Sequence, residues 1–322
     1  MLRIGDIVGT EAQGGGLVSR LIKFGNQDPG EPKTRVSHDA MVYALAAYSE
    51  DEDSGRFILA YHGSEKAVGI NYVGNAPAYA DLTTGEVYGF DKLKPSSAIQ
   101  LTPENAWIMS WLVESTSPKV INTRTVGYYL AKGNCYIYRI KGLNEEALER
   151  VVGFALDRVG QRYGFRHIGL YAVSAALGRL LSYPVYWIAR LLRAKVNFRS
   201  PRIYRNDPKA PMVCSQLVAA AYASLPKYFD YPILENADKL GAIYTCEDYP
   251  VFINENGHTI WENKPHPRFG KIRKETGWPK IEFGGPWGCI APDDIDDWCL
   301  AESQLLDGRA EEIFVGGLED VG

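Results

Sequence analysis

The chain has 322 residues, 46% hydrophobic and 23% charged, with a net charge of −4: ample material for a buried core and a poor composition for disorder. A pI near 5.8 leaves no basic field of the kind that draws nucleic acid, so that class of function drops out. Five scattered cysteines (Cys135, Cys214, Cys246, Cys289 and Cys299), odd in number and without a CxxC pair, point to a reducing compartment and to neither a cofactor nor a metal.

Met1-Leu2-Arg3-Ile4-Gly5-Asp6 contains no apolar signal-peptide core, and the expectation is a cytoplasmic or phage-associated protein. Gly14-Gly15-Gly16 lacks the Lys-Ser/Thr pair of a phosphate loop and reads as a turn into a short amphipathic helix over 17–24. His38 opens an apolar run, Met41 to Ala47. Across the acidic loop at 50–55, that run and Phe57 to Tyr61 predict a hairpin that brings His62 back toward His38. Residues 66–118 read as a first insertion, with turns at Thr83-Thr84-Gly85 and a helix from Pro103 to Ser115 capped by Thr102. Val120 to Tyr129 and Cys135 to Ile140 alternate as strands. Asn144-Glu145-Glu146 then begins a helix running to Val159.

Ile168 to Ala189 is almost uncharged and is followed by Arg190, Arg193, Lys195, Arg199, Arg202 and Arg205. A bilayer span here would separate His38 from Cys214, and Gly178 and Pro184 interrupt the run. The reading is therefore two short apolar helices over 168–196, with 168–205 as a candidate membrane-surface or lipid contact. Met212 to Tyr222 predicts a helix that begins at Cys214, where the positive amide end favours a thiolate. Residues 226–283 read as a second insertion, with a hairpin on Asn256-Gly257. Asp293 and Asp294 follow Pro292 at a helix start and read as caps, and the acidic tail from Ala301 has few anchors. No GxSxG elbow and no HExxH pair of histidines is present.

Five segments stand in a fixed order: Gly5-Asp6-Ile7-Val8, Ser37-His38, Gly160-Gln161-Arg162-Tyr163, Cys214-Ser215-Gln216-Leu217-Val218 and Ala291-Pro292-Asp293-Asp294-Ile295. The set resembles the circularly permuted NlpC-type papain-like group, which includes the YiiX-like bacterial proteins and, more distantly, the lecithin retinol acyltransferase family. The resemblance implies an α+β fold, an antiparallel sheet packed on helices, as a single domain over 1–322 with the two insertions. It implies Cys214 as nucleophile and His38 as base, with Asp6 capping a turn. The third, orienting residue falls to His62, with Asn122 and Glu65 as alternatives. The expected activity is that of a cysteine hydrolase acting through an acyl-enzyme on a peptide-like or cell-wall-derived substrate. The alternatives are a lipid acyltransferase or thioesterase, or a non-enzymatic phage or effector scaffold.

Overall fold

The computed structural model describes residues 2–11, 35–51, 55–62, 65–72, 79–88, 98–165, 183–184, 187–188, 191–192, 207, 209–232, 244–246, 249–253, 259–261, 264–265 and 271–321. Strands between 49 and 72 and between 228 and 275 are described by their backbone alone. The glycine turn and helix expected at 14–24, most of 168–205 and the Asn256-Gly257 turn itself lie outside these residues. The chain forms two compact units, one of 1–224 with 280–322 and one of Leu225–Pro279.

The first unit is α+β, built on an eight-stranded sheet whose pairings are all antiparallel. Its first strands are β1 (Ile7–Thr10), β2 (His38–Asp51), β3 (Gly55–His62) and β4 (Glu65–Tyr72). A separate small sheet follows, of β5 (Tyr79–Asp81), β6 (Val87–Tyr88) and β7 (Ala98–Gln100). The chain then returns to the main sheet with β8 (Trp111–Ser115), β9 (Val120–Thr125) and β10 (Cys135–Ile140). The second unit holds two short sheets, β11 (Tyr228–Pro232) with β16 (Lys271–Glu275), and β12 (Tyr244–Cys246), β13 (Tyr249–Ile253), β14 (Thr259–Trp261) and β15 (Lys264–Pro265). Strand β17 (Ala310–Gly316) closes the main sheet beside β10.

Strand β2 organises the first unit. Ala40, Met41, Val42 and Ala44 are fully buried, so successive residues, which point to opposite faces, are covered on both. One edge of β2 pairs with β1, Thr10 facing His38. The other edge is shared: residues 41–44 pair with β8, and residues 45–51 pair with β3.

This arrangement corrects four expectations. The helix expected over Pro103–Ser115 is a single 3-10 turn, Ala106–Met109, followed by strand β8. Pairing of Met41 with Val113 and of Val42 with Leu112 overrides the local helical pattern. Residues 66–118 are accordingly no detachable insertion, since Ala80, Leu82, Leu101, Ile108, Met109 and Leu112 belong to the core cluster around Val8, Val42 and Ile137. Each of the large side chains among them that is fully buried contributes about 2 kcal/mol. The strand expected to run on to Tyr129 ends at Thr125, whose hydroxyl accepts from the Tyr128 amide and caps a short helix, Val126–Leu130. The acidic tail is anchored through β17, and Ala310 is fully buried.

The helix beginning after Asn144 spans Glu145–Leu156, and the Asn144 side chain accepts from the Ala147 amide at 3.0 Å. It packs on the Cys214–Ala223 helix, and both pack on β2 and β8. Gly5 stands at φ +82°, where a Cβ would lie 2.8 Å from Leu148, so glycine alone fits the turn entering β1. Asp6 accepts from the Arg3 amide in that turn and pairs with Arg139 at 2.8 Å.

Candidate active site

The Cys214–Ala223 helix is entered from Val213, an N-cap residue whose side chain cannot accept a hydrogen bond. The first-turn amides are therefore not consumed by a side-chain cap in the usual way. The Ser215 amide instead donates to the Cys214 sulfur, as does the Asp39 amide from the neighbouring strand. The helix start is held on three sides. The Ser115 hydroxyl on β8 donates to the Met212 carbonyl at 2.7 Å, the Ser215 hydroxyl to Ile290 at 2.8 Å, and the Gln216 side-chain amide to Gly288 at 2.6 Å. Gly164 donates to Met212, and a Cβ there would lie 2.8 Å from the Pro211 carbonyl, so only glycine permits the approach.

His38, at the first position of β2, hydrogen-bonds Cys214 with its side chain. Its Nε2 bonds Glu114 Oε2, which leaves Nδ1 for the thiol. Glu114 is fully buried on β8, and continuing the Met41–Val113 register sets it level with Ala40, on the same face as His38. Its carboxylate is surrounded by donors. Tyr129 donates its hydroxyl to Oε2 and lies 3.2 Å from His38 Nε2, while Arg124 Nη1 reaches Oε1 at 3.1 Å and the Tyr129 hydroxyl at 2.9 Å. The Arg124 guanidinium also stacks over the Tyr128 ring at 4.7 Å.

The electrostatics follow from these partners. Burial pushes the Cys214 thiol up, but the facing His38 charge, its hydrogen bond and the two amides outweigh burial and hold the thiol below its ordinary pKa of 9.0. Burial works against a charged His38 too. The Cys214 and Glu114 charges prevail there and hold the imidazolium well above the ordinary value of 6.5. Burial likewise penalises the Glu114 carboxylate, but His38, Arg124 and Tyr129 bring it below 4.5. Cys135 and Cys299 move the other way, Cys135 to about 12, because burial meets no compensating cation. Cys214 is buried and His38 is 19% exposed at the side chain, so the histidine edge is the open side of the pair.

Two further side chains border the pair. Tyr163 is buried, and both burial and the Cys214 charge raise its phenol. Asp39 is 1% exposed, its Oδ2 has no hydrogen-bond partner among the described residues, and burial together with the Cys214 charge raises its carboxyl well above 3.8. On the Pro292–Ser303 helix, Asp294 accepts from the Ala291 amide at 2.7 Å as a cap. Asp296 is held by Arg35 at 3.0 Å and by Tyr138.

His38 and Cys214 are thus brought together, and His62 is not. Strand β3 pairs only with the far half of β2, Tyr61 facing Leu45, so the His62 backbone lies six residues along the strand from His38, roughly 20 Å away. Glu65 follows on β4, paired with His62, and Asn122 offers its backbone carbonyl to Tyr43. The carboxylate that meets the His38 ring is that of Glu114, which sequence reasoning missed. Its signal is a lone acid on the same strand face as Leu112, with Arg124 opposite Leu112 on the next strand. No protein-family model, no curated protein and no solved structure matches this chain.

Proposed function

We propose that the protein is a cysteine-dependent hydrolase of the circularly permuted papain-like type, cleaving an amide or ester of a peptide-like substrate through an acyl-enzyme. The observation that carries this reading is the buried Cys214–His38–Glu114 chain, in which a lowered thiol faces a raised imidazole fixed by a carboxylate. The order of histidine before cysteine, with Glu114 as the third member, fits the permuted arrangement.

In the forward step the Cys214 thiolate attacks the carbonyl carbon, and the oxyanion forms beside the Cys214 amide at the helix start. His38, protonated at Nδ1, gives that proton to the leaving nitrogen or oxygen, and the C–N or C–O bond breaks to leave a thioester on Cys214. Water, deprotonated by the now neutral His38, releases the acid and regenerates the pair. Glu114 keeps its negative charge throughout and orients the ring, while Tyr129 and Arg124 hold Glu114.

A lipid acyltransferase or thioesterase is the second reading, favoured by Leu191 and Leu192, which are exposed on the segment that runs between Tyr163 and Cys214. The test is incubation with a chromogenic acyl ester and with an aminoacyl anilide, followed by mass spectrometry of the intact protein. An acyl adduct mapped to Cys214 and absent in His38→Ala supports hydrolase chemistry, and preference for anilide over long-chain ester selects the peptide-like substrate. No adduct from either, with the fold intact, would leave a binding scaffold.

A further inference from the structure

A cavity of about 350 Å³ opens in the first unit, between the later turns of the Cys214–Ala223 helix and the chain that follows Lys280. It is lined by Ala219 and Ala223, one turn apart on the helix, by Gly285 and Pro286, and by Trp287 and Glu282. At about 100° per residue, Ala219 and Ala223 stand roughly 140° and 180° around the helix from Cys214, so the cavity lies behind the nucleophile and apart from its site. Its wall is fixed to the helix. The Gln216 side chain donates to the Gly288 carbonyl at 2.6 Å, and the Cys289 amide closes a turn on the Pro286 carbonyl at 3.0 Å. Trp287 is half-buried, and among the described residues its indole N–H has no hydrogen bond and its ring no cation. Glu282 is paired through Oε1 alone, with Lys280 at 2.6 Å, and the two side chains are 54% and 81% exposed. An ion pair so open to water holds its carboxylate weakly.

We infer that this cavity binds a primary alkylammonium group, its chain against Ala219, Ala223 and Pro286 and its charge shared by the Trp287 ring and the Glu282 carboxylate. The lining selects the ligand. An indole face and a carboxylate both attract a cation, and an anion would meet the Glu282 charge. A neutral apolar molecule would use the alanines and the proline but neither of the polar attractions. The volume lies at the small end of ligand cavities and admits a chain of about four carbons, the length of a lysine side chain. A free amine and a lysine side chain of a peptide share this chemistry. The inference is independent of the Cys214 chemistry.

The experiment is NMR titration of the full ¹⁵N-labelled chain with n-butylammonium, with n-butanol as the uncharged control. One of the seven indole N–H resonances, the one that Trp287→Phe removes, is expected to shift saturably with n-butylammonium. Affinity for n-butanol should be at least about fivefold weaker. Glu282→Gln should weaken n-butylammonium about fivefold and leave n-butanol unchanged. Ala223→Leu, which fills the cavity and keeps its charge, should weaken both. Glu282 and Ala223 are exposed, so these two variants are expected to melt as wild type, and they test the inference whether or not Trp287→Phe folds. Cys214→Ser should bind as wild type. Tighter binding of Nα-acetyl-lysine amide than of n-butylammonium would assign the ligand to a peptide lysine, and the reverse order to a free amine. No saturable shift of an indole resonance, equal affinity for n-butanol, or n-butylammonium binding that Glu282→Gln leaves in place would overturn the inference.

Discussion

Two carboxyl groups flank the Cys214–His38 pair, both buried and driven to different charge states. Glu114 is met by His38, Arg124 and Tyr129 and stays ionised. Asp39 donates its backbone amide to the thiol, has no partner for its Oδ2 among the described residues and is pushed toward its neutral form. Burial is common to both, so partners decide the charge. The charged carboxylate that His38 meets is thus the one on β8, where it supports a protonated imidazole.

Glu114→Gln removes the charge on the informative side and is expected to have the largest effect. Hydrolysis should fall roughly 10²- to 10⁴-fold, and the midpoint of Cys214 alkylation should rise toward the ordinary thiol value. Steady-state rates and pH-resolved alkylation measure the two parts. Unchanged rates would detach Glu114 from the site.

Arg124→Gln keeps Glu114 but removes the cation that shares it. With less competition for the carboxylate, His38 becomes more basic, so the alkaline limb of the pH–rate profile should move to higher pH while kcat falls about tenfold at most. A change confined to KM would mark Arg124 as a substrate contact and break the comparison.

Asp39→Asn tests the quiet side through stability. The folded pKa of Asp39 is raised, so its contribution to stability is complete below the unfolded value near 3.8 and is lost as pH rises through the folded value. The asparagine variant escapes that loss. Relative to wild type it should gain stability as pH rises from acid to neutral, as read from urea midpoints. A pH-independent difference would mean that Asp39 is ionised in the fold.

His62→Ala should have the smallest effect, less than about a twofold change in Cys214 alkylation, because its strand joins β2 far from His38. A large loss would return the orienting role to His62.

What was legible in the sequence follows the range of each interaction. Cys214 and His38 carry local signals: a thiol at a helix start, and a histidine opening an apolar strand next to a polar turn. The Asn144 cap, the Asp294 cap and the β2–β3 hairpin are local too, and each can be read from a few neighbouring residues. Glu114 is bound to His38 across 76 positions by cross-strand register, which no local pattern encodes. Trp111-Leu112-Val113-Glu114-Ser115, coming soon after Pro103, satisfies a helical pattern until β2 is known to have a free edge at residues 41–44. The same long-range pairing explains β17, an acidic segment that becomes a strand because β10 presents an open edge.

The most direct test of the account is the pH dependence of iodoacetamide labelling, resolved by peptide for all five cysteines in the wild type and in Glu114→Gln. The account predicts that Cys214 labels first, with a midpoint below 9.0 that moves up in the variant, while Cys135 and Cys299 label only on unfolding. Labelling of Cys135 or Cys299 ahead of Cys214, or a Cys214 midpoint at or above 9.0 that Glu114→Gln leaves in place, would contradict it.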